Sequence, residues 1–266
     1  MGKRLLEELK FRIDADDGLF LSGAVRTVQN RIAKPILIAG HGFRGHKDWG
    51  FWPDIANRFA ERGFYTVTFD FARIDARRLG EEAEARASTV SRELRDWDDV
   101  VTALLEGRLP LSAAEADRSR LAILGHSRAG GTAILFAAEH PEVRAAAIWN
   151  GGASPVRPAA AGGQPLSVKE QAILDDLDRH ADRYQMGRQF GRLRIPALVV
   201  QGDRDQERLL SQNRALQKIA PSQTFVSILG GDHAFGTVDP YAGTTETLDL
   251  AFEETETFLR KVFAYY

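Results

Sequence analysis

The hydrophobic positions of the chain fall into short apolar runs, most of them separated by longer stretches of helical spacing. Runs of four to eight residues that are rich in Val, Ile and Leu predict buried strands, whereas apolar residues three and four apart predict amphipathic helices. We expect eight strands, over Leu6–Ile13, Leu19–Val28, Pro35–Ala39, Tyr65–Phe71, Leu121–Leu124, Ala145–Trp149, Ile195–Gln201 and Thr224–Leu229.

Helical spacing follows most of these runs. The first two runs are instead joined by Asp14–Gly18, whose residues are typical of a tight turn and predict an antiparallel hairpin at a sheet edge. Elsewhere strands and helices alternate, which predicts a mostly parallel sheet with helices on both faces in a single domain over residues 1–266. The helices are expected over Pro53–Arg62, from Ser91 to about Leu105, from Ser127 to about Glu139, and over Gln206–Ala220 and Thr245–Phe263.

Two stretches interrupt the alternation. Residues 72–90 are charged and irregular, which is typical of a solvated loop or a short exposed helix. Residues 153–192 begin rich in Pro, Gly and Ala and continue as a polar segment with one weak apolar helical face. An insertion of this size between two strands is either a cap over a site or a surface insertion. We expect a small helical cap.

Candidate chemistry begins at the strand that ends in Gly125-His126-Ser127-Arg128-Ala129. A serine between small residues, directly after a buried strand and before a helix, indicates a nucleophile elbow. Such a turn points the hydroxyl out of the sheet and places the next backbone N–H beside it. The strict pattern has glycine where Ala129 stands. An ordinary strand-to-helix turn can also carry a serine between small residues. The interpretation therefore depends on what the other strand ends carry.

Three further strand ends carry polar or glycine-rich turns, namely Gly40–Phe43, Gly202–Asp205 and Gly230–His233. Reactive groups of parallel sheets collect at the C-terminal ends of the strands. The backbone N–H groups of Phe43 and Arg128 are candidates for a pair of oxyanion donors. The chain order Ser, Asp, His is that of the α/β hydrolases and differs from that of the chymotrypsin-like and subtilisin-like enzymes.

Taken together, these motifs resemble the α/β-hydrolase-fold serine hydrolases, close to the esterase and dienelactone-hydrolase-like branch. The resemblance implies an eight-stranded, mostly parallel sheet and a triad of Ser127, Asp205 and His233. Dienelactone hydrolases proper use a cysteine nucleophile, so Ser127 favours the serine esterases. Asp205 is preferred because the family places its acid three residues after the glycine that ends this strand. Asp203 stays as an alternative, with bracing of the turn as its expected role.

Other polar residues near these motifs have structural interpretations. His126 is expected to pack or to form a local hydrogen bond, and Asp70 to fix neighbouring loops. His41 is expected to brace the candidate oxyanion loop, Gly40–Phe43. Arg128 could instead meet an anionic group of a substrate. The aromatic residues that follow the oxyanion loop are core anchors or line a cavity; they are Trp49, Phe51 and Trp52.

Composition excludes several classes of function. The chain has no cysteine, which excludes disulfides and thiolate catalysis. A formal net charge of −2 gives no general attraction for nucleic acid. Six scattered histidines without an H-E-x-x-H motif predict no metal site, and no cofactor is expected. Without an apolar run of about 18 residues or an export signal after Met1–Arg4, a soluble cytoplasmic protein is expected, and a homodimer is compatible with the sequence.

The predicted activity is hydrolysis of carboxylic esters through an acyl-Ser127 intermediate, with a small-molecule ester as the partner. A thioesterase, an acyl-amino peptidase or a perhydrolase would use the same triad. A small-molecule-binding protein on a hydrolase scaffold is the alternative from another class, and it would be expected to have lost part of the triad. The physiological substrate depends on the shape of the cap and loops and is not encoded in these motifs.

Overall fold

The computed structural model of the chain describes residues 6–15, 17–110, 113–160, 162 and 164–264. The segment Met1–Arg4, from which no export signal is expected, lies outside the described residues. Strands lie at Leu6–Asp14 (β1), Phe20–Val28 (β2), Lys34–Gly40 (β3), Tyr65–Phe69 (β4), Ala116–His126 (β5), Val143–Trp149 (β6), Ala197–Gly202 (β7) and Thr224–Ile228 (β8).

The helices surround the strands. They lie at Trp52–Glu61 (α1), Arg73–Ala76 (α2), Glu81–Ala87 (α3), Val90–Leu105 (α4), Arg128–Glu139 (α5), Val168–Arg179 (α6), Met186–Gly191 (α7), Glu207–Ile219 (α8) and Glu246–Phe263 (α9). Short 3₁₀ turns occupy Arg77–Leu79 and Ala113–Glu115. Within the described ranges, no helix combines the length and apolar character needed to cross a bilayer.

In the described part of the chain, the eight strands form one sheet in the order β1-β2-β4-β3-β5-β6-β7-β8. The β1–β2 and β2–β4 pairs are antiparallel, and all other pairs are parallel. The predicted edge hairpin and the mostly parallel sheet are therefore confirmed. The order reverses direction between β3 and β5, which is where ligands bind in open sheets of this type.

The core lies on both faces of the sheet because successive residues of a strand point to opposite sides. In β3, for example, Ile36 and Ile38 pack into one cluster and Leu37 and Ala39 into the other. Helices α1 and α9 cover the second cluster, while α4 and α5 cover the first. The strand ends are thus held between two packed layers.

The charged stretch 72–90 differs from its predicted form. It forms the two short helices α2 and α3, and it is only partly solvated, since Arg73 and Asp75 are buried together with three alanines of α3. The error arises because a charged side chain with a buried partner looks the same in the sequence as a solvated one. The buried Arg73 contacts the candidate site.

Candidate active site

The turn after β5 has the geometry of a nucleophile elbow. Ser127 lies between the strand and α5 with φ 58° and ψ −122°, a conformation that costs a non-glycine residue about 1–3 kcal/mol. The turn leaves no space beside it. A Cβ on Gly125 would lie 2.2 Å from the carbonyl oxygen of Ala129, and one on Gly151 would lie 2.4 Å from the carbonyl oxygen of Ser127. Glycine at these two positions therefore permits the turn.

The three residues predicted as a triad come together at the ends of three strands. Oγ of Ser127 lies 2.9 Å from Nε2 of His233. Nδ1 of His233 lies 3.0 Å from each carboxylate oxygen of Asp205. A carboxylate at Nδ1 keeps the proton on that nitrogen, so Nε2 is left to accept the serine proton.

Asp205 is held in place as an anion. Its Oδ2 accepts a hydrogen bond from Nε2 of Gln201 at 2.9 Å, and its Oδ1 accepts one from the backbone N–H of Gln206 at 2.7 Å. Burial opposes ionisation, but the hydrogen bonds from His233, Gln201 and Gln206 outweigh it and hold the pKa of Asp205 below its usual range. The carboxylate is therefore charged at neutral pH and can stabilise an imidazolium.

The other two carboxylates of these turns have local partners. Oδ1 of Asp203 accepts the backbone N–H of Gly230 at 2.7 Å, which ties the turn after β7 to the turn after β8. Asp232 accepts the backbone N–H groups of Ala234 and Gly236 at 3.0 and 2.6 Å. Both side chains brace the turns.

The loop that carries His233 is held by Asn150, to which the sequence motifs assign no role. Nδ2 of Asn150 donates to the carbonyls of Asp232 and His233 at 3.0 and 3.1 Å, while its Oδ1 accepts from Nε2 of Gln201 at 3.0 Å and from the N–H of Gly202 at 2.7 Å. Asn150 is fully buried, at the end of β6 with φ 45°. It connects the ends of three strands. The available sequence signal was a strand end followed by two glycines.

The candidate oxyanion loop, Gly40–Phe43, follows β3 and approaches Ser127 closely. A Cβ on Gly42 would lie 3.2 Å from Cβ of Ser127. The backbone N–H of Phe43 has no hydrogen-bond partner among the described residues. The N–H of Arg128, at the first position of α5, belongs to the orphan donors of a helix N-terminus. Both candidate donors are thus available to a ligand.

His41 braces this loop in its neutral form. Burial, followed by the nearby positive charge of Arg73, lowers the pKa of His41 well below its usual value. Nδ1 of the ring donates to the carbonyl of Gly42 at 2.8 Å, and Nε2 accepts the backbone N–H of Phe71 at 3.3 Å. Asp70 fixes the following turn through the N–H of Lys47 at 2.6 Å.

The guanidinium of Arg128 does not project freely into the site. Its Nη2 donates to the carbonyl of Ser88 at 2.6 Å, its Nε lies 3.0 Å from Oε1 of Glu93, and the group lies over the ring of Phe43, 4.4 Å from its centroid. Glu93 is shared with Arg73, so one carboxylate faces two guanidinium groups, and recognition of an anionic substrate group by Arg128 stays a hypothesis.

The histidines do not assemble a metal centre. His46 accepts the backbone N–H of Asp48, and His140 stacks on Phe136 with the ring centroids 3.7 Å apart. Among the residues that the structure describes, no group of three or more His, Asp or Glu side chains could hold a metal ion.

The family model of an alpha/beta hydrolase domain matches residues 33–260. The chain belongs to the alpha/beta hydrolase family. No curated protein has a matching sequence. The fold of this alpha/beta hydrolase is shared with solved structures at low identity, which shows the fold alone.

Structures of three proteins illustrate the range of the fold. Est1E from Butyrivibrio proteoclasticus is 19% identical over 96% of this chain and 99% of its own, with a TM-score of 0.69, and its complex with ferulic acid matches with a TM-score of 0.71. The esterase domain of a Rhodothermus marinus protein is 19% identical over 96% of this chain and 98% of its own, with a TM-score of 0.64. A puromycin-hydrolyzing peptidase of Mycobacterium tuberculosis is 18% identical over 97% of this chain and 40% of its own, with a TM-score of 0.69.

Two cavities of this alpha/beta hydrolase meet at Ser127. The first, of about 450 Å³, lies beside α5 and the segment that follows β6, and its lining includes Val90, Pro155 and Ile173. The second, of about 340 Å³, lies on the side of His233 and is walled by Trp49 and Trp52. Residues from the inserted stretch 153–192 therefore line the first cavity. Trp49 and Trp52 line the second, and Trp52 is also a buried core residue.

Proposed function

We propose that this alpha/beta hydrolase cleaves carboxylic esters through an acyl intermediate on Ser127. The observation that carries the proposal is the continuous chain of hydrogen bonds from Oγ of Ser127 through the ring of His233 to Asp205, with spacings of 2.9 and 3.0 Å. A serine hydroxyl is a weak nucleophile until an adjacent base takes its proton. The contact of Asp205 with Nδ1 favours the tautomer in which Nε2 of His233 can act as that base.

In the first half of the reaction, Oγ of Ser127 attacks the ester carbonyl while its proton moves to Nε2 of His233. The carbonyl oxygen becomes an oxyanion, which accepts hydrogen bonds from the backbone N–H groups of Phe43 and Arg128. Donors aimed at this developing charge contribute about 10²- to 10³-fold in rate each. The tetrahedral intermediate then collapses, the bond to the leaving oxygen breaks, and the imidazolium of His233 gives its proton to the departing alcohol.

In the second half, water takes the place of the alcohol beside His233. Nε2 accepts a proton from the water as its oxygen attacks the acyl carbon, and the same two N–H groups hold the second oxyanion. Collapse breaks the bond to Oγ, the proton returns to Ser127, and the carboxylic acid leaves. No other reactant is needed.

The position of His233 assigns the two cavities. The leaving oxygen has to lie within reach of Nε2 to be protonated, so the alcohol part belongs in the cavity that His233 lines together with Trp49 and Trp52. The acyl chain then extends into the larger, mainly apolar cavity beside Val90 and Ile173. An aromatic or compact alcohol and a medium-length acyl chain fit this division. Ferulic acid, which is bound to Est1E, is a carboxylic acid and corresponds to the acyl part of an ester, so it supports an aromatic acyl group as a further candidate.

Esters rather than amides are proposed because of how much of each relative matches this chain. The match covers 99% and 98% of the two esterase chains but only 40% of the peptidase chain. The test is hydrolysis of p-nitrophenyl acetate, butyrate and octanoate, with the p-nitroanilide of butyrate alongside, by the parent and by Ser127→Ala. Labelling with a fluorophosphonate gives an independent readout. We expect ester turnover and labelling in the parent and neither in Ser127→Ala. If the parent protein hydrolysed none of these substrates and was not labelled, the binding-protein alternative would be favoured.

A further inference from the structure

A buried ion network lies directly behind the oxyanion loop. Nη1 of Arg73 pairs with Oε1 of Glu93 at 2.7 Å, and both side chains are at most 3% exposed. The same carboxylate oxygen lies 3.0 Å from Nε of Arg128. Buried ion pairs contribute little net stability because desolvation offsets the attraction between the charges. Net stability is therefore a poor explanation for three buried or half-buried charged side chains beside a candidate site.

Arg73 holds the oxyanion loop by its carbonyls. Its Nε donates to the carbonyl of Phe43 at 3.0 Å, and its Nη2 donates to the carbonyl of Gly42 at 3.0 Å. The Gly42 oxygen also accepts from Nδ1 of His41 at 2.8 Å and from the N–H of Gly45 at 3.1 Å. Three donors thus converge on a single carbonyl.

The Gly42 carbonyl and the Phe43 N–H belong to the same peptide group. In a trans peptide the C=O and N–H bonds point in opposite directions. Fixing the carbonyl of Gly42 on the buried guanidinium therefore aims the Phe43 N–H away from Arg73 and towards Ser127, whose Cβ is a near neighbour of Gly42. A charge-assisted bond to the carbonyl also polarises the amide and strengthens its N–H as a donor.

Glu93 couples this peptide to the second candidate donor. Its carboxylate lies between the guanidinium groups of Arg73 and Arg128, and both of these groups face the ring of Phe43, at 5.1 and 4.4 Å from the centroid. Arg128 opens α5 and carries the other N–H. The Glu93 carboxylate therefore links the Gly42–Phe43 segment, through Arg73, to the first residue of α5. These two segments carry the two candidate oxyanion donors.

Arg73 keeps its positive charge at neutral pH. Burial lowers its pKa to about 10, against the opposing effect of Glu93. Neutral His41 donates a hydrogen bond to the same carbonyl without adding a second positive charge there.

We propose that Arg73, anchored by Glu93, is a positioning residue that aligns and polarises the Gly42–Phe43 peptide as an oxyanion donor. The inference rests on the proposed ester hydrolysis and deepens it. Arg73 does not touch the substrate in this role. Its effect is expressed when negative charge develops on the carbonyl oxygen, so it acts on the transition state more than on substrate binding.

The test compares Arg73→Met and Arg73→Lys with Lys34→Met, a control that removes another buried cation. Lys34 pairs with Glu115 at the opposite end of β3, so its loss perturbs a buried ion pair without touching the loop. The assays measure kcat and KM for p-nitrophenyl butyrate, inhibition by an aliphatic trifluoromethyl ketone, inhibition by butyramide, and the melting temperature. The ketone forms a hemiketal with Ser127 whose oxyanion needs the same donors, whereas butyramide is neutral and places no negative charge there.

We expect Arg73→Met to lower kcat about 10- to 100-fold and to change KM less than threefold. The upper value corresponds to the rate lost when one oxyanion donor is removed, about 100-fold or more. Inhibition by the ketone should weaken by the same factor as kcat/KM, while inhibition by the neutral butyramide should change less than threefold. Arg73→Lys keeps the charge and one of the carbonyl bonds, and it should recover part of the loss. Lys34→Met should lower the melting temperature and leave kcat and ketone inhibition within threefold of the parent.

The inference is overturned if Arg73→Met, folded by its melting curve, keeps the parent kcat, or if its ketone inhibition stays constant while kcat falls. It is also overturned if Lys34→Met loses kcat to the same extent, because the loss would then follow stability. Should Arg73→Met not fold, Arg73→Lys and Glu93→Gln decide by the same comparison. Failure of ester hydrolysis itself looks different, since the parent would then show no turnover and no fluorophosphonate labelling.

Discussion

The imidazole of His126 donates a hydrogen bond from Nε2 to the backbone carbonyl of His233, over 2.8 Å. The residue before the nucleophile thus holds the loop that carries the proposed base. The ring of His126 is buried, with its centroid 5.1 Å from that of His233. Burial, followed by the proximity of His233, lowers the pKa of His126 to about 4. The donor is therefore a neutral imidazole at neutral pH.

This depressed pKa makes stability depend on pH. Between pH 6.5 and 4 the unfolded chain binds a proton at His126 and the folded chain does not, so the free energy of unfolding falls as the pH falls through this window. From pH 7 to pH 5 the contribution is about 2 kcal/mol. We expect His126→Gln to remove this part of the decrease, measured by urea unfolding at both pH values. His180→Gln, at the end of α6, serves as the control and should keep the full decrease. An equal decrease in His126→Gln and the parent would contradict the assignment.

The choice between the two carboxylates after β7 can be tested directly. Asp205→Asn should lower kcat about 10³- to 10⁴-fold, because an amide no longer stabilises the imidazolium and lets His233 adopt the wrong tautomer. Asp203→Asn is the matched control in the same turn. It should keep kcat within about threefold while weakening the bond to Gly230. Steady-state hydrolysis of p-nitrophenyl butyrate measures both, and an inactive Asp203→Asn with an active Asp205→Asn would reverse the assignment.

Asn150 provides a prediction about stability. In Asn150→Asp the shape is kept, but a carboxylate oxygen replaces the Nδ2 donor and faces the carbonyls of Asp232 and His233. Unsatisfied buried groups of this kind cost about 1–3 kcal/mol each. We expect the free energy of unfolding in urea to fall by about 3 kcal/mol at pH 7, together with a loss of kcat as the His233 loop moves. Asn30→Asp, near the surface before β3, is the control, and an equal midpoint for the parent and Asn150→Asp would refute the proposed connection.

The assignment of the cavities predicts separate effects on the two halves of an ester. Ile173→Trp fills the cavity beside α5 and should lower kcat/KM for octanoate esters at least tenfold relative to acetate esters, with the same alcohol. Trp49→Ala opens the other cavity and should lower kcat/KM for aryl esters relative to ethyl esters of the same acid. Substrate panels that vary one half at a time measure both. If Trp49→Ala changed the acyl preference instead, the two cavities would have to be exchanged.

The sequence was sufficient for the parts of the site that depend on local pattern. Gly125, Ser127 and Ala129 mark the elbow because a tight turn requires small residues at fixed spacing. The predicted ends of β7 and β8 bring Asp205 and His233 to the same edge as Ser127, since parallel strands share one direction. Each of these expectations depends on residues that are close together along the chain.

The supporting residues could not be predicted in the same way. Arg73 lies in a charged stretch with Arg77 and Arg78, and all three look alike in the sequence, although only Arg73 is buried. Its partner Glu93 lies 20 residues further along. The role of Asn150 depends on a loop 82 to 83 residues away. Long-range polar contacts of this kind are decided by the packed fold and leave no periodic signal.

The placement of the three side chains at the ends of β5, β7 and β8 affects how the protein is made. Ser127 leaves the ribosome 106 residues before His233, and until β8 has paired with β7 the base has no fixed position. A growing chain therefore carries an unactivated serine while the 106 residues up to His233 are added. The proposed nucleophile becomes reactive only after β8 has joined the sheet.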